Sequence, residues 1–142
     1  CLRHGIHRVA FSPSGRFVAA VDASARHTLA VYDWADGTLV ATADASALPV
    51  LDVAFLRESP LPPHVGAAPS AGDGSDSTAP PLWLATCGVR HVTFWSLSGS
   101  SLVPTKGVLG RRGRMQPFLS VAAVAGEAVV GAYDGSLYGF KG

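Results

Sequence analysis

Hydrophobic and polar residues alternate in short runs along the chain, as in His91-Val92-Thr93-Phe94-Trp95, and the runs are rich in β-branched and aromatic residues. A period of two puts successive side chains on opposite faces of a strand. No segment repeats apolar residues at i, i+3, i+4 and i+7 for the length of an amphipathic helix, so the pattern predicts an all-β fold. Turn residues divide the runs. Strands are predicted at 6–11, 16–21, 28–33 and 38–42, then at 50–56, 82–87, 91–97 and 101–105, and finally at 118–124, 128–133 and 136–140. Ser12-Pro13-Ser14-Gly15 and Asp134-Gly135 supply two of the tight turns, because Pro presets one turn dihedral and Gly accepts a positive φ.

The strands recur in sets. Val9-Ala10-Phe11 and Val53-Ala54-Phe55 place Phe11 and Phe55 44 residues apart. Phe55 and Ala123, in the similar triplet Val121-Ala122-Ala123, are 68 apart, which becomes 44 once the 24 residues 58–81 are set aside. Val31-Tyr32-Asp33, Phe94-Trp95-Ser96 and Gly139-Phe140-Lys141 each close an alternating run with an aromatic, and Trp95 to Phe140 is 45. A period of about 40–45 residues with several strands per repeat is the signature of a propeller blade. The expectation is a partial β-propeller of about three four-stranded antiparallel blades, near 4–42, 50–105 and 118–142, the last incomplete. Phe11, Tyr32, Phe55, Phe94, Trp95 and Phe140 are expected to form the blade cores. Residues 58–81 hold six of the ten prolines and no aromatic, too little apolar content to offset the entropy of ordering, and are expected to form a disordered surface loop.

Composition narrows the function. The 142 residues are 48% apolar and 15% charged, too apolar for a disordered chain. Eleven Lys and Arg stand against ten Asp and Glu, for a formal charge of +1, so no global field draws in nucleic acid or an anionic membrane. No run approaches the roughly 20 apolar residues of a membrane span. A soluble chain with no nucleic-acid or membrane partner is the expectation. Cys1 and Cys87 make no disulfide framework, which suits a reducing, intracellular compartment. The chain begins at Cys1 and stops after Phe140-Lys141-Gly142, and reads as a segment whose end faces would meet the remaining blades of its own chain.

Particular residues carry a family likeness. Phe11-Ser12-Pro13-Ser14-Gly15 has the form of the turn between the first two strands of a WD blade. Asp22, His27, Val31, Asp33, Trp34 and Gly37 follow the same layout, and so does Gly88-Val89-Arg90-His91-Val92-Thr93-Phe94-Trp95 followed by Leu102, Lys106, Gly107 and Gly110. With Asp134-Gly135-Ser136-Leu137-Tyr138, the chain resembles WD-repeat propellers and, within them, the echinoderm microtubule-associated protein-like group. That resemblance implies binding to tubulin or microtubules in the cytoplasm and cytoskeleton. The group's hydrophobic tubulin-contact motif lies upstream of its blades and has no counterpart here. The chain also departs from the pattern: Tyr32-Asp33, Trp95-Ser96 and Phe140-Lys141 stand where a Trp-Asp pair is usual. The hydrogen-bonded network of a regular blade is therefore expected to be incomplete, with aromatic burial carrying more of the load.

Catalytic chemistry is thin. The string Cys1, His4, His7 and the pair Cys87, His91 have ligand-type residues, but a zinc site needs four converging ligands, and strand positions three apart, as in the string, point to opposite faces. No phosphate loop and no nucleophile elbow is present. No catalytic residue, cofactor or metal is expected. The one charge concentration is Arg111-Arg112-Arg114 with Lys106 upstream; residues 103–142 carry five cations against Glu127 and Asp134. A Gly-flanked arginine loop suits an acidic partner, such as tubulin's acidic tails by the resemblance, and equally suits a solvated connection between blades. The resulting expectation is a non-catalytic interaction platform that binds tubulin or microtubules. The alternative is a general WD-repeat scaffold or adaptor, of ciliary or ubiquitin-ligase type, with no tubulin binding.

Overall fold

Eleven strands account for the regular structure in the computed structural model, which describes residues 2–58 and 82–141. The first meander is β1 (Ile6–Phe11), β2 (Phe17–Asp22), β3 (Thr28–Asp33) and β4 (Thr38–Asp44). The second is β5 (Val50–Glu58), β6 (Leu82–Gly88), β7 (His91–Ser98) and β8 (Ser101–Lys106), and the third is β9 (Phe118–Val124), β10 (Glu127–Ala132) and β11 (Leu137–Phe140). Within each meander every neighbouring pair is antiparallel. A single parallel bridge, Thr42 to Ser101, joins the outer strands β4 and β8. The inner strands β1, β5 and β9 lie side by side. These are three consecutive blades of a partial β-propeller, the third with three strands. Among the described residues no helix is long and apolar enough to cross a membrane.

Most predicted strands end within a residue or two of the observed ones, because the alternation that buries one face also fixes where pairing is worthwhile. The main difference is Glu58, assigned to the insert by composition but found in β5. It pairs with Leu82, and its carboxylate accepts the Ser14 backbone N–H at 2.9 Å and the Ser14 hydroxyl at 2.7 Å. The rest of the proposed disordered loop, 59–81, lies outside the described residues.

Register explains the packing. On one face of the successive blades lie the rows Phe11–Val18–Tyr32, Phe55–Leu84–Trp95 and Ala123–Ala128–Phe140; on the other lie Ala10–Ala19–Val31, Ala54–Ala85–Phe94 and Ala122–Val129–Gly139. The Ala10 face of the first blade takes the Phe55 face of the second, forming a core with Phe17, Val21, Leu29, Leu97 and Leu102. The Ala54 face of the second blade takes the Phe140 face of the third, with Cys87, Phe118 and Val130, and the Phe94 and Phe140 rings are 5.6 Å apart.

Of the six aromatics assigned to the cores, Phe55, Trp95 and Phe140 are buried, and Tyr32 and Phe94 are half-buried. Phe11 is a correction: it is 52% exposed and touches Trp34 edge-on, with ring centroids 5.4 Å apart. It occupies the register position of Phe55, but among the described residues no blade packs against its face.

Polar side chains of the inner strands tie blade to blade. The Arg8 guanidinium donates to the Leu51 carbonyl at 2.6 Å, and Asp52 accepts the Val121 backbone N–H at 2.9 Å. Asp52→Ala strands that N–H at the junction of β5 and β9, and is expected to cost about 1.5–3 kcal/mol in denaturant titration. Asp52→Asn keeps an acceptor and should recover most of the loss. A cost for Asp52→Ala within about 0.5 kcal/mol would show that apolar packing alone holds the third blade.

Candidate functional site

At one end of the meanders the turns within blades meet the connections between them, and hydrogen bonds knit these segments into one surface. The Ala45 N–H donates to the His27 carbonyl at 3.2 Å, Val89 to Pro49 at 2.9 Å, and Tyr133 to Pro117 at 3.0 Å. Val89 and Pro117 form an isolated bridge. Asp22 organises the β2–β3 loop: one carboxylate oxygen accepts the Ser24 N–H, the Ser24 hydroxyl and the Thr28 N–H. Burial raises the Asp22 carboxyl's proton affinity, but those bonds outweigh it and leave the group below the usual carboxylate range.

The predicted basic residues gather on this end. Lys106 closes β8, and Arg111, Arg112 and Arg114 lie on the connection 107–117; all four are exposed. The connection is anchored rather than free. Gly113 N–H donates to the Gly110 carbonyl at 2.8 Å, the Tyr138 hydroxyl accepts the Arg114 N–H at 3.4 Å, and Gln116 accepts the Asp134 N–H at 3.0 Å. Among the described residues, none of the four cations has a carboxylate within 4.0 Å, whereas Arg26 on the same end is paired to Asp44 at 2.9 Å.

The sequence reading missed a fifth cation. Arg90 sits in the two-residue turn between β6 and β7 with φ of 63°, a left-handed conformation that a non-glycine residue adopts at some cost. It shares a groove of about 330 Å³ with Lys106, His91, Met115, Ala45 and Ser46. The groove joins the predicted loop, through Met115, to the connection between the first two blades. The signal was present: Val89-Arg90 is the tight turn of a predicted hairpin at the same end as residues 107–117. Asp134, in the β10–β11 turn at this end, is held below the usual carboxylate range by hydrogen bonds from Gln116 and then Ser136.

The residues considered for metal chemistry are dispersed. Cys87 is buried, and burial pushes its thiol up to about 12, so it carries no thiolate near neutral pH. Burial also holds His91 below the ordinary histidine value. His7 bonds the Val50 carbonyl at 2.8 Å and meets His27 edge-on at 6.2 Å. Among the described residues no three His, Cys, Asp or Glu side chains gather where they could hold a metal ion; Cys1 lies outside them. What the arrangement offers chemically is an exposed cationic surface on a hydrogen-bonded framework.

The network predicted to be incomplete is partly made by other residues. The Trp95 indole N–H donates to the Thr86 hydroxyl at 3.0 Å, fully buried, and in the first blade Asp33 accepts Arg16 at 3.0 Å.

No family model matches the chain. Echinoderm microtubule-associated protein-like 2 of Mus musculus is 34% identical over 133 residues, covering 92% of this chain and 17% of that protein. The Homo sapiens protein of the same name is 33% identical over the same length and shares. Echinoderm microtubule-associated protein-like 4 of Xenopus laevis is 27% identical over 135 residues, or 94% of this chain and 12% of that one. The chain thus spans about 17% of the length of the first two relatives. A chain in the crystal structure of a mitotic checkpoint complex matches 98% of this chain, and 37% of its own length, with a TM-score of 0.60 and 18% identity, a likeness of fold.

Proposed function

The chain belongs to the echinoderm microtubule-associated protein-like family of WD-repeat propellers, and from that premise we propose that it is a non-catalytic interaction platform binding tubulin or microtubules in the cytoplasm and cytoskeleton. The observation that carries the reading is the similarity to these relatives along 92% of the chain. The place of contact is the end surface bearing Lys106, Arg111, Arg112 and Arg114, with Arg90 beside them. Exposed cations with no carboxylate within 4.0 Å among the described residues attract an acidic partner without first breaking ion pairs there. A rigid blade scaffold under an anchored loop limits the entropy lost on binding.

The test is sedimentation with polymerised microtubules across a salt series. Binding is expected at low salt and to weaken toward physiological ionic strength, where the Debye length is about 8 Å. Replacing Arg111, Arg112 and Arg114 together by Ser should remove part of the salt dependence and leave the melting temperature nearly unchanged, because exposed charges add little to stability. No sedimentation at low salt favours the general scaffold reading. Sedimentation unaffected by the triple replacement makes residues 107–117 a solvated connection.

A further inference from the structure

We propose that His7, His27 and His91 form a proton-sensitive latch at the seam between the first two blades, closed while the rings are neutral and loosened when they gain protons. Three elements bring them together. His7 lies on β1, His27 in the β2–β3 loop, and His91 opens β7. The His7 and His27 rings meet edge-on at 6.2 Å, and His7 Nε2–H donates across the seam to the Val50 carbonyl, at the start of β5, at 2.8 Å. The His91 ring reaches the same place from the second blade, since a Cβ on Gly88 would lie 2.7 Å from that ring and 2.9 Å from the Val50 Cα.

Each ring also keeps a buried nitrogen with no hydrogen-bond partner among the described residues: Nδ1 of His7, Nδ1 of His27 and Nε2 of His91. In His7 and His91 the other nitrogen carries the hydrogen, because it bonds a carbonyl, Val50 for the first and Val89 at 3.2 Å for the second. The unpartnered nitrogen of a neutral ring is then a bare lone pair. A proton added there makes a buried N–H without an acceptor and a charge without a counter-ion, and both disfavour the closed seam.

The surrounding charges do not relieve this. Among the described residues no carboxylate lies within 4.0 Å of the three imidazoles. Asp22, ending β2, accepts from Ser24 and Thr28; Asp44, ending β4, holds Arg26; and Asp52, on β5, accepts the Val121 N–H and stands 4.0 Å from Arg8. Arg3 and His4 precede β1 and border the groove that reaches Asp22, while Arg90 and Lys106 share a groove with His91. The Cys87 thiol stays protonated near neutral pH. Burial, opposed by the bond to Val89 and reinforced by the charge of His27, holds His91 below the ordinary histidine value. A folded value below the unfolded one of about 6.5 gives stability that is complete above that pH and lost as the pH falls from it toward the folded value. Ala45 and Ser46, on the connection into β5, line the groove with Arg90 and Lys106, so a loosened seam also alters the cationic end.

The test is hydrogen–deuterium exchange of the intact protein that carries this chain, read by mass spectrometry and corrected for the intrinsic exchange rate at each pH. Between about pH 7.5 and about pH 5.5, protection of residues 46–54 and 86–92 should fall about tenfold, the equivalent of one pKa unit. Residues 118–132, on strands β9 and β10 and without a histidine, should change less than about threefold. Replacing His7→Gln, His27→Asn and His91→Asn together supplies amide N–H groups at positions 7 and 91, removes the titration, and keeps a residue type that accepts the left-handed φ of 48° at position 27. This variant should lose the pH response at 46–54 and 86–92. Where it lacks wild-type protection even at the higher pH, His7→Gln alone, which retains a donor for Val50, should show a smaller fall than wild type. Three outcomes overturn the proposal: a wild-type seam indifferent to pH, an equal fall at 118–132, or a folded variant that responds as wild type does.

Discussion

Trp95→Ala is expected to lower unfolding stability by about 3–5 kcal/mol, among the largest losses a single side chain here can cause. The ring is 2% exposed and lies in the core between the first two blades. Its removal leaves a cavity there and also strands the Thr86 hydroxyl, which accepts the indole N–H at 3.0 Å and is itself fully buried. The two effects separate experimentally. Trp95→Phe retains most of the apolar volume and loses the hydrogen bond, so its cost should fall to about 1–3 kcal/mol. Adding Thr86→Val in that background removes the orphaned hydroxyl and should return part of the loss, a coupling that a double-mutant cycle measures. Phe11→Ala, at the matching register position of Phe55 but exposed, should cost about 1 kcal/mol or less. A loss below about 1 kcal/mol for Trp95→Ala, the range of exposed substitutions, would mean that the first two blades are not joined through this ring.

Trp95 also marks the limit of what the sequence discloses. Alternation and a 44-residue spacing reveal blades because each strand must show one face to a neighbouring blade, and that requirement repeats with the fold. The pattern does not say which neighbours are present. Phe11 and Phe55 look alike in sequence and share a register, yet one is exposed and the other buried. The missing Trp-Asp pairs suggested an incomplete network, whereas the partner of Trp95 lies nine residues earlier on the adjoining strand. A short-range motif does not display a cross-strand bond. Asp52 was hidden for a related reason: its partner N–H is 69 residues away on another blade.

The basic end surface was half legible. Composition identified Lys106, Arg111, Arg112 and Arg114 as a cluster because they are close in the chain. Arg90 joins them only through the hairpin that turns β6 into β7, and the bridge from Val89 to Pro117 brings that turn to the 107–117 connection. Composition likewise assigned Glu58 to the insert. The hydrogen bonds that hold it come from Ser14, 44 residues earlier and on a different blade.

Gly88→Ala should be nearly as damaging as the loss of a buried ring, although it adds one methyl group. A Cβ at this position would overlap the Pro49 carbonyl oxygen and come within 2.9 Å of the Val50 Cα and 2.7 Å of the His91 ring. Two of those three atoms are backbone, so no rotamer change relieves the overlap. The Pro49 carbonyl cannot recede freely either, because it accepts the Val89 N–H at 2.9 Å, and Val50, paired with Gly88, is fully buried. Overpacking a filled site costs about 1–3 kcal/mol, and the upper part of that range is expected where backbone must move. Gly110→Ala, which meets nothing within 4 Å, is the control and should stay within about 0.5 kcal/mol. The strained turn next to Gly88 carries Arg90, so a displaced β6 end should also move that cation relative to Lys106 and weaken low-salt binding to microtubules. A Gly88→Ala protein as stable as wild type would show that the connection between the first two blades yields, and that the cationic surface is not held rigid from below.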